Sequence, residues 1–256
     1  MSEALITHGD SVPHKRWSAA DRQQDLLRLG DSIYDLIIVG GGINGAAIAR
    51  DAVLRGYSVL LLEQDDFAQG TSSRSSRLIH GGLRYLEHFE FGLVFESVSE
   101  RHVLSRVARH LVRPLSFVYP VYKSEKPGLN KVDLGLWLYD SLALFRNYRF
   151  HERWRVQHIA KHLPGLRRDN LNGAIQYYDY RTSDARLVIE NLLDARAAGA
   201  IILSQSRVDR IRYASSISEP HRVEISNRLD DPSARPHYAF GRVIVTATGV
   251  WTDEVV

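Results

Sequence analysis

The stretch from Leu36 to Arg55 constrains the fold more than any other part of the chain. It opens with the apolar run LIIV, passes through three consecutive glycines and continues into an alanine-rich segment that Gly56 ends. A short run of branched apolar residues is typical of a buried strand, and a glycine commonly follows the last helical residue. A second apolar run, YSVLLLE, occupies 57–63. The sequence therefore predicts a strand, a helix over about 44–55 and a second strand.

The glycines of this turn form the pattern G-x-G-x-x-G with Gly40, Gly42 and Gly45. In dinucleotide-binding folds the first glycine permits a tight turn, the second lets backbone approach a pyrophosphate, and the third lets the helix pack on the strand. Glu63 ends the second strand 18 residues after Gly45, near the spacing of the acid that binds ribose hydroxyls. That acid argues against NADP, so NAD and FAD remain.

A second polar segment, GTSSRSSRLIHGGLRYLEH, occupies residues 70–88. Its serine and threonine hydroxyls can donate to phosphate oxygens, and its first arginines can neutralise them. His80, a glycine pair and Arg84 are then interspersed with apolar residues. This mixture fits a loop that passes a flat cofactor better than it fits a flexible surface loop.

The remaining chain alternates between helical and extended patterns. Ser18 and Asp21 are spaced as a capping box for a short helix over 18–29, and 89–111 has the apolar spacing of a long amphipathic helix whose arginines we expect to be solvated. The prolines of 114–122 favour an edge strand of a different sheet. We expect 123–176 to be irregular, 183–211 to return to helix and strand, and the chain to close with a buried strand and a small-residue turn.

Composition excludes several classes of function. The chain has 256 residues, no cysteine and a net charge of +3 without a basic block, so disulfides, thiol nucleophiles and a nucleic-acid partner are not expected. His158 and His162 have a metal-compatible spacing but no further ligand nearby, so no metal site is predicted. The first residues lack the pattern of a signal peptide, which favours a cytoplasmic location.

Four separated motifs carry a family resemblance: VGGGINGAAIARDAVLRGYSVLLLE, TSSRSSRLIHGGLRYLEHFEFGLV, DYRTSDARLV and TATGVWTD. In this order they resemble the FAD-dependent glycerol-3-phosphate dehydrogenases that pass electrons to quinones. The second motif is the specific one, because the others occur more widely among flavoprotein oxidoreductases. Thr246 and Arg77 depart from the usual asparagine and lysine of the family.

The resemblance implies FAD as the cofactor and assigns the residues that hold it. These residues would contact the ADP half, the pyrophosphate, the ribityl chain or the ring of FAD, or would form the late turn that closes over it. They are Gly40, Gly42, Gly45, Glu63, Thr71, Ser72, Ser73, Ser75, Gly81, Gly82, Val208, Ala247 and Gly249. Arg84 and Tyr85 would face the substrate. His80 would either remove the substrate's hydroxyl proton or position the ring.

The resemblance also implies an α/β fold: a Rossmann-like FAD-binding domain of the glutathione-reductase and D-amino-acid-oxidase type with an inserted α+β substrate (cap) domain. The expected boundaries are a leader at 1–32, the FAD-binding domain at 33–112 and 177–256, and a partial cap domain at 113–176. Because the family continues beyond the last motif, we expect a truncated chain with little activity of its own.

The implied reaction is oxidation of sn-glycerol 3-phosphate to dihydroxyacetone phosphate with a quinone as acceptor. It would place the protein peripherally on the inner face of the cell membrane and is compatible with a homodimer. Two other interpretations stay open. One is a related FAD-dependent oxidoreductase of a 2-hydroxy acid or an amine, and the other is an inactive FAD-binding fragment.

Overall fold

The structure, a computed structural model, describes residues 17–124, 126–144, 146–231 and 233–254. Within them the chain forms two compact units. The flanking unit contains the residues up to Arg74 together with those from Asp184 onward, and the central unit contains Ser75–Ser183. The first sixteen residues of the expected leader lie outside the described residues.

For much of the chain, the order of helices and strands agrees with the order predicted from the glycine turns and apolar runs. In order they are α1 (Ala19–Leu27), β1 (Ile33–Val39), α2 (Ile43–Leu54), β2 (Val59–Leu62), β3 (Leu78–Ile79), α3 (Phe91–Val107), β4 (Arg113–Tyr122), α4 (Leu129–Leu142), β5 (Glu152–Trp154), α5 (Val156–His162), β6 (Leu171–Arg181), α6 (Asp184–Ala197), β7 (Ile201–Leu203), β8 (Ser206–Arg212), β9 (His221–Asn227) and β10 (His237–Thr246). Short 3-10 helices cover Thr71–Ser73, Leu83–His88 and Gly249–Glu254.

The flanking unit is built on a six-stranded sheet in the order β7-β2-β1-β10-β9-β8. The first four strands are parallel, whereas β9 and β8 are antiparallel additions. Successive residues of β1 point to opposite faces, so Ile38 packs with α2 and α6 while Ile37 packs with α1 residues such as Leu26. Burial of both faces explains why β1 and β2 are apolar without alternation.

Helix α1 is an integral part of the flanking unit, although the sequence suggested a separate leader. Ser18 and Asp21 form the predicted capping box at its start. Arg22 donates to the carbonyl oxygen of Ser204 at 2.8 Å and to Oδ1 of Asn227 at 2.7 Å. Asp25 pairs with Arg196 at 2.8 Å. These contacts join the helix to segments that lie more than 170 residues later in the chain.

The central unit has a smaller antiparallel sheet in which β6 pairs with β3, β4 and β5. Helices α3 and α4 pack on one face through Val94, Val98, Leu136 and Tyr139. Helix α5 packs through Ile159 against Ala174. Strand β4 pairs only with β6 among the described strands, which matches the edge strand that its prolines predict.

Three sequence-based expectations differ from the structure. Residues 123–176 contain two helices and two strands rather than irregular chain, because Leu129, Leu136 and Tyr139 recur at helical spacing and are buried. Residues 75–112 belong to the central unit, not to the unit that contains the glycine turn, since α3 packs on the second sheet. Arg101, expected to be solvated, is 2% exposed.

Candidate functional site

Packing inside the flanking unit accounts for glycine at two positions of the G-x-G-x-x-G turn. Gly40 has a φ of +114°, and a Cβ there would lie 2.5 Å from the carbonyl oxygen of Ala247. A Cβ at Gly45 would lie 1.9 Å from the carbonyl oxygen of Gly40. Ala247 is fixed in turn because its N–H donates to the carbonyl oxygen of Val39 at 2.8 Å. The protein's own backbone thus requires both glycines.

Packing constrains position 42 less than positions 40 and 45. Gly42 is the N-cap residue of α2 and offers no side-chain cap. Among the described residues, one atom would lie within 4 Å of a Cβ at this position, the hydroxyl oxygen of Ser72 at 3.2 Å. A helix N-terminus attracts anions through its N–H groups and its partial positive charge. This geometry fits a pyrophosphate that approaches the backbone.

Ser72 is the hydroxyl of the TSS segment that lies at this helix terminus, since the N–H of Ile43 donates to its Oγ at 2.9 Å. The neighbouring hydroxyls have different environments. Ser73 donates to the carbonyl oxygen of Ala68 at 2.5 Å, and Thr71 is exposed. Ser75, which belongs to the central unit, accepts from the N–H of Arg77 at 2.8 Å.

Glu63 braces the glycine turn from the end of β2. Its two carboxylate oxygens accept from the N–H of Gly41 at 2.7 Å and from the N–H of Asp65 at 2.8 Å. A Cβ at Gly41 would lie 2.9 Å from the Cβ of Glu63 and 2.7 Å from the ring of Phe67. Because each carboxylate oxygen has more than one lone-pair site, Glu63 can still accept from ribose hydroxyls.

The later residues assigned to the cofactor, Val208, Ala247 and Gly249, also belong to the flanking unit. Val208 lies on β8, two residues after Ser206, whose N–H donates to the carbonyl oxygen of Glu63 at 2.8 Å. The register of β8 shifts directly after Val208. Gly249 has a φ of +62° with no atom within 4 Å of a Cβ. The β8 edge and the turn after β10 are therefore placed with the glycine turn in one unit.

The HGG segment lies in the central unit and has its own close contacts. A Cβ at Gly81 would lie 2.2 Å from the hydroxyl of Tyr139 and 2.3 Å from Val98. Gly82 has a φ of +68°, and a Cβ there would lie 2.3 Å from the ring of Tyr85. The N–H of Gly82 donates to Nδ1 of His80 at 3.1 Å. The imidazole is therefore tied to the turn that follows it.

Arg84 and Tyr85 are both exposed, as is His80. Arg84 is exposed and makes no side-chain hydrogen bond or ion pair with the other described residues. The Tyr85 side chain is 39% exposed even though its ring lies against Gly82. An exposed guanidinium without a partner among the described residues is suited to bind a phosphate.

The family model described as FAD dependent oxidoreductase matches residues 35–256. The chain belongs to this family. The α/β fold expected from the sequence is therefore confirmed: it is the FAD-binding fold of this family, with a parallel sheet core in the flanking unit. The resemblance drawn from the four motifs is likewise confirmed.

Known members of the family give finer comparisons. A glycerol-3-phosphate dehydrogenase of Synechocystis is 40% identical over 226 residues, which are 88% of this chain and 40% of that protein. An alpha-glycerophosphate oxidase of Enterococcus casseliflavus is 35% identical over 93% of this chain and 39% of its own length. The structure of a Bacillus halodurans glycerol-3-phosphate dehydrogenase in complex with FAD superposes with a TM-score of 0.69 at 30% identity, over 93% of this chain and 38% of that one. The chain spans about 40% of the length of the curated relatives that it matches.

Sequence reasoning did not single out a buried polar cluster in this chain. Arg101 on α3, Tyr139 on α4 and Asp179 on β6 converge on the backbone of Gly81. Burial, followed by the nearby Asp179 carboxylate, raises the pKa of Tyr139 above its usual range. No local pattern marks these residues, because up to 98 residues separate the hydrogen-bonded partners.

Two further findings concern metals and membranes. The His158 and His162 rings stack with centroids 4.1 Å apart beside Trp154, and the described ranges contain no group of three or more His, Asp or Glu side chains arranged to hold a metal ion. Within the same ranges, no helix combines the length and hydropathy needed to cross a bilayer.

Proposed function

We propose that this chain binds FAD noncovalently and that the protein oxidises sn-glycerol 3-phosphate to dihydroxyacetone phosphate. The cofactor proposal rests on the position of Gly42 at the N-terminus of α2. It is the glycine of the turn that packing constrains least, and it lies at the start of α2 beside the Ser72 hydroxyl. The names of the relatives carry the substrate proposal.

The residues proposed to hold FAD divide by unit. In the flanking unit, Gly40 and Gly45 shape the turn, Gly42 and Ser72 receive the pyrophosphate, and Glu63 with Val208 serves the adenosine. Thr71, Ser73, Ser75, Ala247 and Gly249 complete the set that the resemblance assigns. In the central unit, Gly81 and Gly82 are proposed to approach the ring.

FAD supplies the two-electron acceptor: C2 of glycerol 3-phosphate loses a hydride to it while the C2 hydroxyl loses a proton. Arg84 would hold the substrate phosphate, and Tyr85 would line the same site. Because Nδ1 of His80 accepts from Gly82, the neutral imidazole in this geometry carries its proton on Nε2 and is a donor there. This supports the positioning role of His80 over the role of base.

The electron acceptor, the membrane location and the oligomeric state are also proposed. The resemblance suggests a quinone, a peripheral location at the inner face of the cell membrane and a homodimer. The relatives differ in name, since some are dehydrogenases and one is an oxidase. Assays of the reduced protein with a quinone analogue and with oxygen would separate the two acceptors.

A second candidate is an FAD-binding chain without turnover, and the coverage of about 40% of each relative favours considering it. The two candidates are distinguished by the visible spectrum of the purified chain under anaerobic conditions. Bleaching of the flavin by glycerol 3-phosphate, but not by 2-hydroxyglutarate or glycine, supports the dehydrogenase. A bound flavin that no substrate bleaches supports the second candidate.

The cofactor assignment has its own test at Gly42. Gly42→Val places a branched side chain where backbone meets the pyrophosphate, so FAD should be lost while the circular dichroism spectrum is retained. Gly92→Val is the matched control, because Gly92 faces open space in α3. Retention of flavin by the Gly42 variant, or release of NAD from the wild-type protein, would contradict the proposal.

A further inference from the structure

The buried side chains of Arg101, Tyr139 and Asp179 meet the backbone of Gly81. The N–H of Gly81 donates to the Tyr139 hydroxyl at 3.0 Å and lies 3.4 Å from Oδ1 of Asp179. The Tyr139 hydroxyl donates to the same Asp179 oxygen at 3.0 Å and accepts from Arg101 at 2.7 Å. Arg101 also forms an ion pair with Asp179. Helices α3 and α4 and strand β6 thus meet at one peptide group.

The cluster extends away from this peptide through further buried groups. Arg101 donates to Asn147, which donates to Asp140. Asp140 lies 2.7 Å from Nδ1 of His151. The side chains of Asp140 and His151 are each 3% exposed. The guanidinium of Arg101 therefore connects the Gly81 peptide to a second buried carboxylate.

Stability alone is a weak reason for such a cluster. Burying charged groups costs desolvation energy, and well-packed apolar residues of similar volume are often equally stabilising or more so. A fully hydrogen-bonded buried network instead fixes one geometry. Here the group that the network fixes is the Gly81 peptide, which lies so close to the Tyr139 hydroxyl that a Cβ would overlap it. This peptide belongs to the turn in which the N–H of Gly82 donates to His80.

We propose that Tyr139, Asp179 and Arg101 are positioning residues that hold the Gly81 peptide and, through it, set the geometry of the His80–Gly82 turn toward the flavin ring. The inference rests on the proposed FAD function. The ADP half is assigned to residues of the flanking unit, and the turn belongs to the central unit. Loss of the cluster should therefore affect the ring end of FAD and leave the ADP end unchanged.

The test compares binding of FAD and of ADP to the 256-residue chain. Tyr139→Phe removes the hydroxyl that accepts from Gly81 and keeps the ring. We expect the FAD dissociation constant to rise about tenfold, equivalent to ~1.4 kcal/mol, with an altered visible band of the bound flavin. The ADP dissociation constant should stay unchanged. A role in general stability would move both constants together or neither.

Tyr177→Phe is the matched control, because Tyr177 lies on the same sheet, stacks on Phe117 and makes no hydrogen bond to Gly81. It should change neither constant. If circular dichroism reports that Tyr139→Phe is unfolded, the near-isosteric Asp179→Asn carries the test with the same expectation.

The outcomes separate the inference from the function on which it rests. Wild-type protein that binds no FAD would overturn the proposed function. Wild-type protein that binds FAD, together with a folded Tyr139→Phe or Asp179→Asn variant of unchanged FAD affinity and spectrum, would overturn the positioning role alone.

Discussion

The two glycine turns of this protein are held in different ways. The turn of Gly40–Gly45 is held by backbone atoms of its own unit and by Glu63, which lies at the end of the adjacent strand. The turn of His80–Gly82 is held by side chains from α3, α4 and β6. The first turn can therefore be recognised from a local sequence motif. The contacts that hold the second turn are known only from the tertiary structure, because they come from three separate elements.

The largest expected effect is at Gly45. Gly45→Ala places a Cβ 1.9 Å from backbone, which cannot move without displacing β1 or α2. We expect a loss of about 3 kcal/mol or more in the free energy of unfolding, measured by urea denaturation. Gly30→Ala is the control, since its Cβ would make an ordinary contact of 3.6 Å. Equal stability of the two variants would contradict the prediction, because it would show that the backbone of the first turn can move to accommodate a Cβ at little cost.

Gly81→Ala should cost less, about 2 kcal/mol, because the obstructing atoms belong to the side chains of Tyr139 and Val98 and not to backbone. Combining it with Tyr139→Phe should cost less than the sum of the single changes, since the hydroxyl 2.2 Å from the new Cβ is then absent. Gly135→Ala, in open space on α4, serves as control. Additive effects in the double variant would contradict the close contact.

Arg84→Ala tests the second turn's role in activity rather than in stability. In a catalytically active form of the protein, kcat/KM for glycerol 3-phosphate should fall. The loss of transition-state stabilisation calculated from the kcat/KM ratio should be about 2 kcal/mol, because a charged hydrogen bond to phosphate is lost. Flavin content and the unfolding midpoint should be unchanged, since this exposed side chain has no partner among the described residues. A parallel loss of flavin would assign Arg84 to the cofactor.

The last effect is absent at neutral pH and concerns Tyr177, a phenol beside the buried cluster. Burial, and then the nearby Asp179, raises the pKa of Tyr177 to about 12. The folded state therefore keeps a proton that the unfolded chain loses near pH 10, so the stabilisation is complete below about pH 10 and declines toward pH 12. The slope contributed by this group is at most ~1.4 kcal/mol per pH unit. Tyr177→Phe should reduce this slope, measured from the free energy of unfolding between about pH 10 and pH 12.

Local patterns predicted elements of both units. The β1-α2-β2 segment, the capping box of α1 and the edge position of β4 all follow from residues that are close in sequence. The helices of 123–176 were missed because tyrosine, tryptophan and arginine obscured the spacing of Leu129, Leu136 and Tyr139. The burial of Arg101 could not be predicted, because its partner Asp179 lies 78 residues later.

The strand order of the larger sheet has a consequence for synthesis of the chain. Central strand β1 pairs with β2, which follows within about 20 residues, and with β10, which begins at His237. At a translation rate of 5–20 residues per second, roughly 10–40 seconds separate the emergence of β1 from that of its second partner. During this interval an apolar strand has an open edge on the ribosome, while residues 75–183, which are contiguous, can already fold.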